Sequence, residues 1–153
     1  MAAPYNYSRC RNTRAAPAPR LPAAPPSTTR SYFSAHAEHY HLTPCSGGAV
    51  IPLQPHHSQG RYACQGGVIT IPDDGYYMLL WELTVDRVKP TAQLRLGINN
   101  SGSMLVSELT PGHDSGQQVT WLNRGSKVSL QVLKSEQGEL QGKHAQLTII
   151  RLG

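Results

Sequence analysis

The residues best suited to chemistry are five histidines and two cysteines in the first half of the chain. They are His36, His39, His41, Cys45, His56, His57 and Cys64. Neutral imidazole and thiolate are the usual ligands of zinc and related metal ions in proteins. Residues two apart on a β-strand point the same way, so His39 and His41 would face one ion together. We therefore predict His39 and His41 as metal ligands, with His36 as a further candidate on the opposite face.

These histidines leave a metal-dependent enzyme open as an alternative. The cupin β-sandwich also uses a His-x-His pair, but it needs a glutamate shortly afterwards, and here Thr43-Pro44-Cys45-Ser46 follows. Nucleophilic catalysis has little support, because the chain has no Gly-x-Ser-x-Gly elbow and no base is placed beside Cys64. We therefore expect a non-enzymatic protein with no catalytic residues and no cofactor other than a metal ion. A cupin-like enzyme using His39 and His41 is the alternative.

The clearest structural signal lies between Val68 and Val85, where two apolar runs flank the turn Pro72-Asp73-Asp74-Gly75. After the turn, one face of the predicted strand carries Tyr77, Leu79, Trp81, Leu83 and Val85. The opposite face begins with Tyr76, Met78 and Leu80. A strand that is apolar on both faces is covered on both sides. One side is predicted to be the domain core, and the other needs a further sheet or a partner chain.

Alternation and turn signals predict further strands on either side of this one. They fall at Tyr32–Leu42, Ala49–Leu53, Arg61–Ile71, Ala92–Ile98, Met104–Leu109, Gln117–Leu122, Lys127–Leu133 and His144–Leu152. Loops are predicted at Gln54–Gly60, Thr110–Gly116 and Ser135–Lys143. Two side chains, Val119 and Trp121, are expected to point inward. No stretch has a helical period, so the pattern predicts an all-β sandwich of eight to ten short strands.

The start of the chain differs from the rest in charge and composition. Five arginines (Arg9, Arg11, Arg14, Arg20 and Arg30) precede the first acidic residue, Glu38, and they account for the formal net charge of +5. The segment Ala15–Pro26 is rich in Ala and Pro and has no apolar period, which is typical of an extended spacer. We predict a disordered arm over residues 1–30 and one domain over residues 31–153. Nucleic-acid binding would rest on the arm alone, so we expect none.

Two further features bear on the compartment. The chain shows no secretory signal peptide and no apolar run long enough to span a membrane, so no membrane insertion is expected. Of its three cysteines, Cys45 and Cys64 are close enough in sequence for a disulfide that would stabilise the domain by about 3 kcal/mol. Cys10 would then be a free thiol in the arm. Three reduced thiols are the alternative.

Four short motifs occur in an order that resembles the complement component 1q / tumour necrosis factor jelly roll. They are Phe33-Ser34-Ala35, the run from Ile71-Pro72 to Gly75-Tyr76-Tyr77, the pair Trp121-Leu122 and Gly125–Leu130, and the closing stretch Leu147–Leu152. Two positions depart from the family pattern: Ser126 stands where aspartate is usual and Thr148 where glycine is usual. The resemblance spans Tyr32 to Leu152. It implies a jelly-roll β-sandwich of antiparallel strands.

The resemblance also implies a homotrimer, in which the first, central and last strands form a sheet whose outer face packs about a threefold axis. The expected trimer-interface residues are Tyr40, Tyr76, Met78, Leu80, Ile150 and Leu152. Their apolar character supports this independently, because a monomer rarely exposes an apolar patch of this size.

The predicted fold, together with the absence of a secretory signal peptide, resembles the C-terminal heads of bacterial collagen-like spore-surface (exosporium) proteins. The chain differs from them in having no Gly-x-y stalk. This resemblance implies a structural or adhesive head at a spore or cell surface, with an unidentified protein or glycan as ligand. A virus or phage fibre head is the alternative.

Overall fold

The structure is a computed structural model that describes residues 30–43, 48–87, 92–99, 106–109, 112–134 and 139–153. The predicted arm, except for Arg30, and the cysteines Cys10 and Cys45 lie outside these ranges. Within them, no helix has the length and hydrophobicity needed to cross a membrane.

The described residues form eleven strands. They are β1 (Tyr32–Leu42), β2 (Ala49–Val50), β3 (Gln54–Gln59), β4 (Ala63–Gln65), β5 (Val68–Thr70), β6 (Gly75–Arg87), β7 (Ala92–Ile98), β8 (Val106–Glu108), β9 (Gly112–Leu122), β10 (Lys127–Lys134) and β11 (Leu140–Arg151). One sheet has five strands in the order β3-β1-β11-β6-β9. The other has six, in the order β4-β5-β10-β7-β8 with β2 on β10. Since every paired strand is antiparallel, the predicted all-β antiparallel sandwich is confirmed.

The core forms between the two sheets from residues that alternate along their strands. On β6, Tyr77, Leu79 and Leu83 are fully buried, as the alternation predicts. The opposite sheet contributes the inward residues of β7 and β10, namely Leu94, Leu96, Ile98, Val128, Leu130 and Val132. Fully burying one such side chain contributes roughly 1.5–3 kcal/mol, so this alternation carries much of the stability of the fold.

Three predicted loops are strands at least in part. Gln54–Gln59 is β3, β9 begins at Gly112, and β11 begins at Leu140. All six residues of β3 are exposed, so this strand has no buried face that could produce an alternating pattern. It is held by backbone pairing to β1 at the edge of the sheet. Such pairing depends on the neighbouring strand and leaves little signal in the sequence of β3 itself.

The strand β1 reverses its buried face at His39, where φ is 49° and lies in the left-handed region. Before this point the buried apolar residues have odd numbers, but after it Tyr40 and Leu42 are buried. The neighbouring strand β11 has a matching register shift against β6. The prediction that Tyr40 lies on the outer face of the sheet, among the trimer-interface residues, is therefore wrong. A bulge moves every later side chain to the other face.

The buried ring of Tyr40 lies over Gly142, its partner across the β1–β11 pair. A Cβ atom added to Gly142 would lie 2.0 Å from Cζ of that ring. Glycine at this position therefore makes room for the aromatic side chain that follows the bulge.

We expect Gly142→Ala to destabilise the fold by about 1–3 kcal/mol, because the new methyl group overpacks the core against Tyr40. The midpoint of urea unfolding measures the change. The matched comparison is the same substitution in a Tyr40→Leu background, where the cost should be smaller because the ring is gone. An equal cost in both backgrounds would contradict this account of Gly142.

Candidate assembly interface

The outer face of the five-stranded sheet, meaning the face that points away from the core, is apolar at one end. Strand register places Tyr32, Ile150, Met78 and Val119 side by side across four strands. The next row pairs Tyr76 with Trp121, whose ring centroids are 5.1 Å apart in an edge-to-face arrangement. This end of the face is thus a continuous aromatic and aliphatic surface.

The residues of this surface are exposed in the single chain. Within the described ranges, all the exposed large hydrophobic side chains belong to it: Tyr32, Tyr76, Val119, Trp121 and Leu152, at 38, 54, 56, 52 and 50% exposure. Leu152 extends the strand ladder beside Tyr76 through a hydrogen bond from its N–H to the Tyr76 carbonyl, 2.8 Å long. We call these five residues, with the half-buried Met78, Leu80 and Ile150, the apolar patch.

The structure places five of the six predicted interface residues in the apolar patch. They are Tyr76, Met78, Leu80, Ile150 and Leu152, and their part in a trimer stays a prediction. Tyr40 is the exception, because it lies in the core. The prediction that Val119 and Trp121 point inward is wrong, since their register with Met78 and Tyr76 puts them on the outer face. Alternation within β9 shows which residues share a face but not which face is buried.

A turn beside the patch fixes the start of β6. The Asp74 side chain accepts a hydrogen bond from the Arg124 N–H at 2.6 Å, and the Arg151 guanidinium donates to the Asp74 carbonyl at 2.9 Å. The Tyr77 hydroxyl donates to the Asp73 carbonyl at 2.7 Å, and burial raises the pKa of Tyr77 to about 12. These bonds tie the predicted turn to both the β9–β10 connection and the end of β11. Tyr76 is thereby held opposite Trp121.

The other end of the outer face is polar. His144 Nε2 lies 3.3 Å from Glu82 Oε1, and the Thr84 hydroxyl lies 3.5 Å from His113 Nδ1. A groove of about 580 Å³ lies between the two ends and includes Leu80, Glu82 and Thr148 in its lining. The outer face therefore has an apolar end and a polar end.

The predicted metal ligands do not form one centre. His36, His39 and His41 line a shallow groove with Pro52 and Gln54. Within the described ranges, however, no three His, Cys, Asp or Glu side chains are arranged to hold a metal ion. The ring of His36 instead contacts that of His56, at a centroid distance of 4.6 Å. Sequence spacing suggested the pair His39 and His41 but not this contact across strands.

The described cysteine, Cys64, is half-buried and has no disulfide partner among the described residues. Its Sγ donates a hydrogen bond to the Leu53 carbonyl over 3.6 Å. Burial raises the pKa of the thiol, and a weaker opposing contribution comes from the Gly67 backbone. Because Cys45 lies outside the described residues, the Cys45–Cys64 disulfide stays a prediction.

Comparison with known proteins identifies the fold. No protein-family profile matches the chain, and no curated protein matches it in sequence. Murine APRIL at pH 8.5 aligns with a TM-score of 0.64 and 16% identity, over 80% of this chain and 99% of that one. The PRD1 vertex protein P5 aligns with a TM-score of 0.61 and 11% identity, over 80% of this chain and 97% of that one. Eiger TNF from S. frugiperda aligns with a TM-score of 0.56 and 10% identity, over 80% of this chain and 94% of that one. The chain therefore has the complement-1q/TNF-like jelly-roll fold that the four motifs predicted.

We expect Cys64 to be alkylated slowly at pH 7.5, because its raised pKa leaves less thiolate than in an unfolded chain. Peptide mapping by mass spectrometry, without reductant, measures the modification of each cysteine over time. The same protein in urea is the control and should react quickly at Cys64. Equal rates in the native protein and in urea would contradict the raised pKa, whereas a peptide pair joined through Cys45 and Cys64 would show the predicted disulfide.

Proposed function

We propose that this protein is a non-enzymatic homotrimeric head domain, and that its apolar patch forms the contacts between copies. The observation that carries the proposal is that the exposed large hydrophobic side chains of the described residues all lie on one end of one sheet face. Patches of this kind on soluble proteins mark interaction sites. Tyr and Trp are also enriched at protein interfaces.

A trimer is favoured over other assemblies by the fold. TNF-like jelly rolls are homotrimers, and this chain aligns with two of them, murine APRIL and Eiger TNF, over 80% of its length. The apolar patch occupies one end of the outer face of the sheet that contains the first, central and last long strands, β1, β6 and β11. This is the face that the family resemblance assigns to the threefold contact.

A non-enzymatic role is supported by the structural similarities. The similar structures are TNF-family cytokines and a viral structural protein. Such a head would bind other molecules by shape, with three copies of each loop at the distal end of the trimer, meaning the end away from the arm.

The location that we propose is the surface of a bacterial spore or cell, where the basic arm would anchor the head and the distal loops would meet a protein or glycan. The alternative is a virus or phage fibre head, and the similarity to the PRD1 vertex protein favours it. Antibody labelling of intact spores, cells and virus particles from the source would distinguish these locations.

For the assembly itself, light scattering of the full chain in reductant should give three times the chain mass of 16.7 kDa. We expect Met78→Glu to give monomers, because assembly would bury an unpaired carboxylate at the centre of the apolar patch. The matched control is Gln93→Glu, which adds the same group to an exposed position on β7 of the other sheet and should remain trimeric.

Two results would overturn the proposal. A wild-type monomer at micromolar concentration would show that the apolar patch does not join copies of the chain. A Met78→Glu protein that stays trimeric would show that the copies meet elsewhere. Circular dichroism of both variants verifies that they are folded.

A further inference from the structure

The charged residues of the described ranges are divided unequally between the two ends of the sandwich. The end at which β1 begins, which we call the basic end, carries five basic residues against two acidic ones: Arg30, Arg61, Arg124, Lys127 and Arg151 against Asp73 and Asp74. The opposite end carries three against five: Arg87, Lys134 and Lys143 against Glu38, Asp86, Glu108, Asp114 and Glu139. The net charge is therefore +3 at the basic end and −2 at the other.

A groove of about 230 Å³ opens at the basic end. The residues that line it include Arg61, Thr70, Pro72 and Arg124. Two backbone hydrogen bonds hold its sides together: the Gly125 N–H donates to the Ile71 carbonyl, and the Ile71 N–H donates to the Ser126 carbonyl, each over 2.8 Å. The fold thus brings two arginines that are far apart in sequence to one groove.

Both guanidinium groups are available to a ligand. The Arg61 side chain is 83% exposed and lies 4.0 Å from the Asp73 carboxylate, and water screens an ion pair of this kind. Within the described ranges, no hydrogen bond or ion pair engages the Arg124 side chain, since only its backbone N–H binds Asp74. Lys127 pairs directly with Thr70, so its side chain lies on the same face of the sheet beside the groove.

We propose that this groove binds an acidic polysaccharide, meaning a sugar chain that carries sulfate or carboxylate groups. The planar guanidinium group forms paired hydrogen bonds with such anions, and a cleft lined by one sign of charge concentrates them. Thr70 adds a hydroxyl group that suits sugar hydroxyls. Single-stranded nucleic acid is bound largely by stacking of its bases on aromatic rings, and none of the described residues that line the groove is aromatic.

The groove is a different site from the distal loops and from the apolar patch. Each chain contains all of its lining residues, so the inference goes beyond the proposed trimer and does not depend on it. Arg30, where the predicted arm meets the domain, lies at the same end. A polysaccharide in the groove would therefore lie near the part of the chain that carries the other arginines.

Fluorescence anisotropy with fluorescein-labelled dextran sulfate tests the groove on the full chain, with labelled neutral dextran as the blank. We expect binding of the sulfated polymer only. Arg61→Gln/Arg124→Gln should weaken it by roughly tenfold and lower the slope of log affinity against log salt by about two, because roughly one counterion is released for each contact. The matched control is Lys134→Gln/Lys143→Gln, which removes the same charge from the opposite end and should bind like the wild type.

Three results would overturn the proposal. Equal weakening in the two double variants would show that net charge alone attracts the polymer, and unchanged binding in both would place it on the arm. Tighter binding of an oligodeoxythymidylate than of dextran sulfate, lost in Arg61→Gln/Arg124→Gln, would assign the groove to nucleic acid. Amide NMR of the wild type needs no variant. The signals of Thr70, Arg124 and Gly125 should shift with dextran sulfate, and an unchanged set would contradict the site.

Discussion

The structure depends on the pairing of β6 with β11 on one side and with β9 on the other. Both ladders run over ten or more residue pairs, so the position of each β6 side chain determines its neighbours on two other strands. Tyr77 and Leu79 are thereby buried in the core, while Tyr76 and Met78 stay on the outer face. A slip of one residue would exchange these two sets.

This constraint explains why the apolar patch is continuous although its residues come from four separate strands and the chain terminus. Antiparallel register stacks Ile150, Met78 and Val119 in one row, and the Asp74 turn holds the next row in place. The same register places Glu82 and His144 together at the opposite, polar end of the outer face. One sheet face thus combines an apolar surface with a polar one.

Much of the architecture is predictable from local pattern. Strands β1, β7 and β10 appear at or within a residue of their expected bounds. The four family motifs identified the jelly roll, which the structural similarities confirm. The alternation along β6 also predicts which of its side chains are buried and which point outward. A strand with one buried face can be recognised from its own sequence, because burial selects apolar residues at every second position.

The sequence by itself determined the all-β class, the central strand and its two apolar faces, because these rest on short-range periodicity. Only the tertiary structure decided which face of β9 is outward, that β1 turns Tyr40 into the core, and that the ring of His36 contacts that of His56. Each of these depends on a bulge or on the register between strands distant in sequence. A single inserted residue reverses the alternation without altering composition, and backbone pairing places polar strands such as β3 that have no buried face.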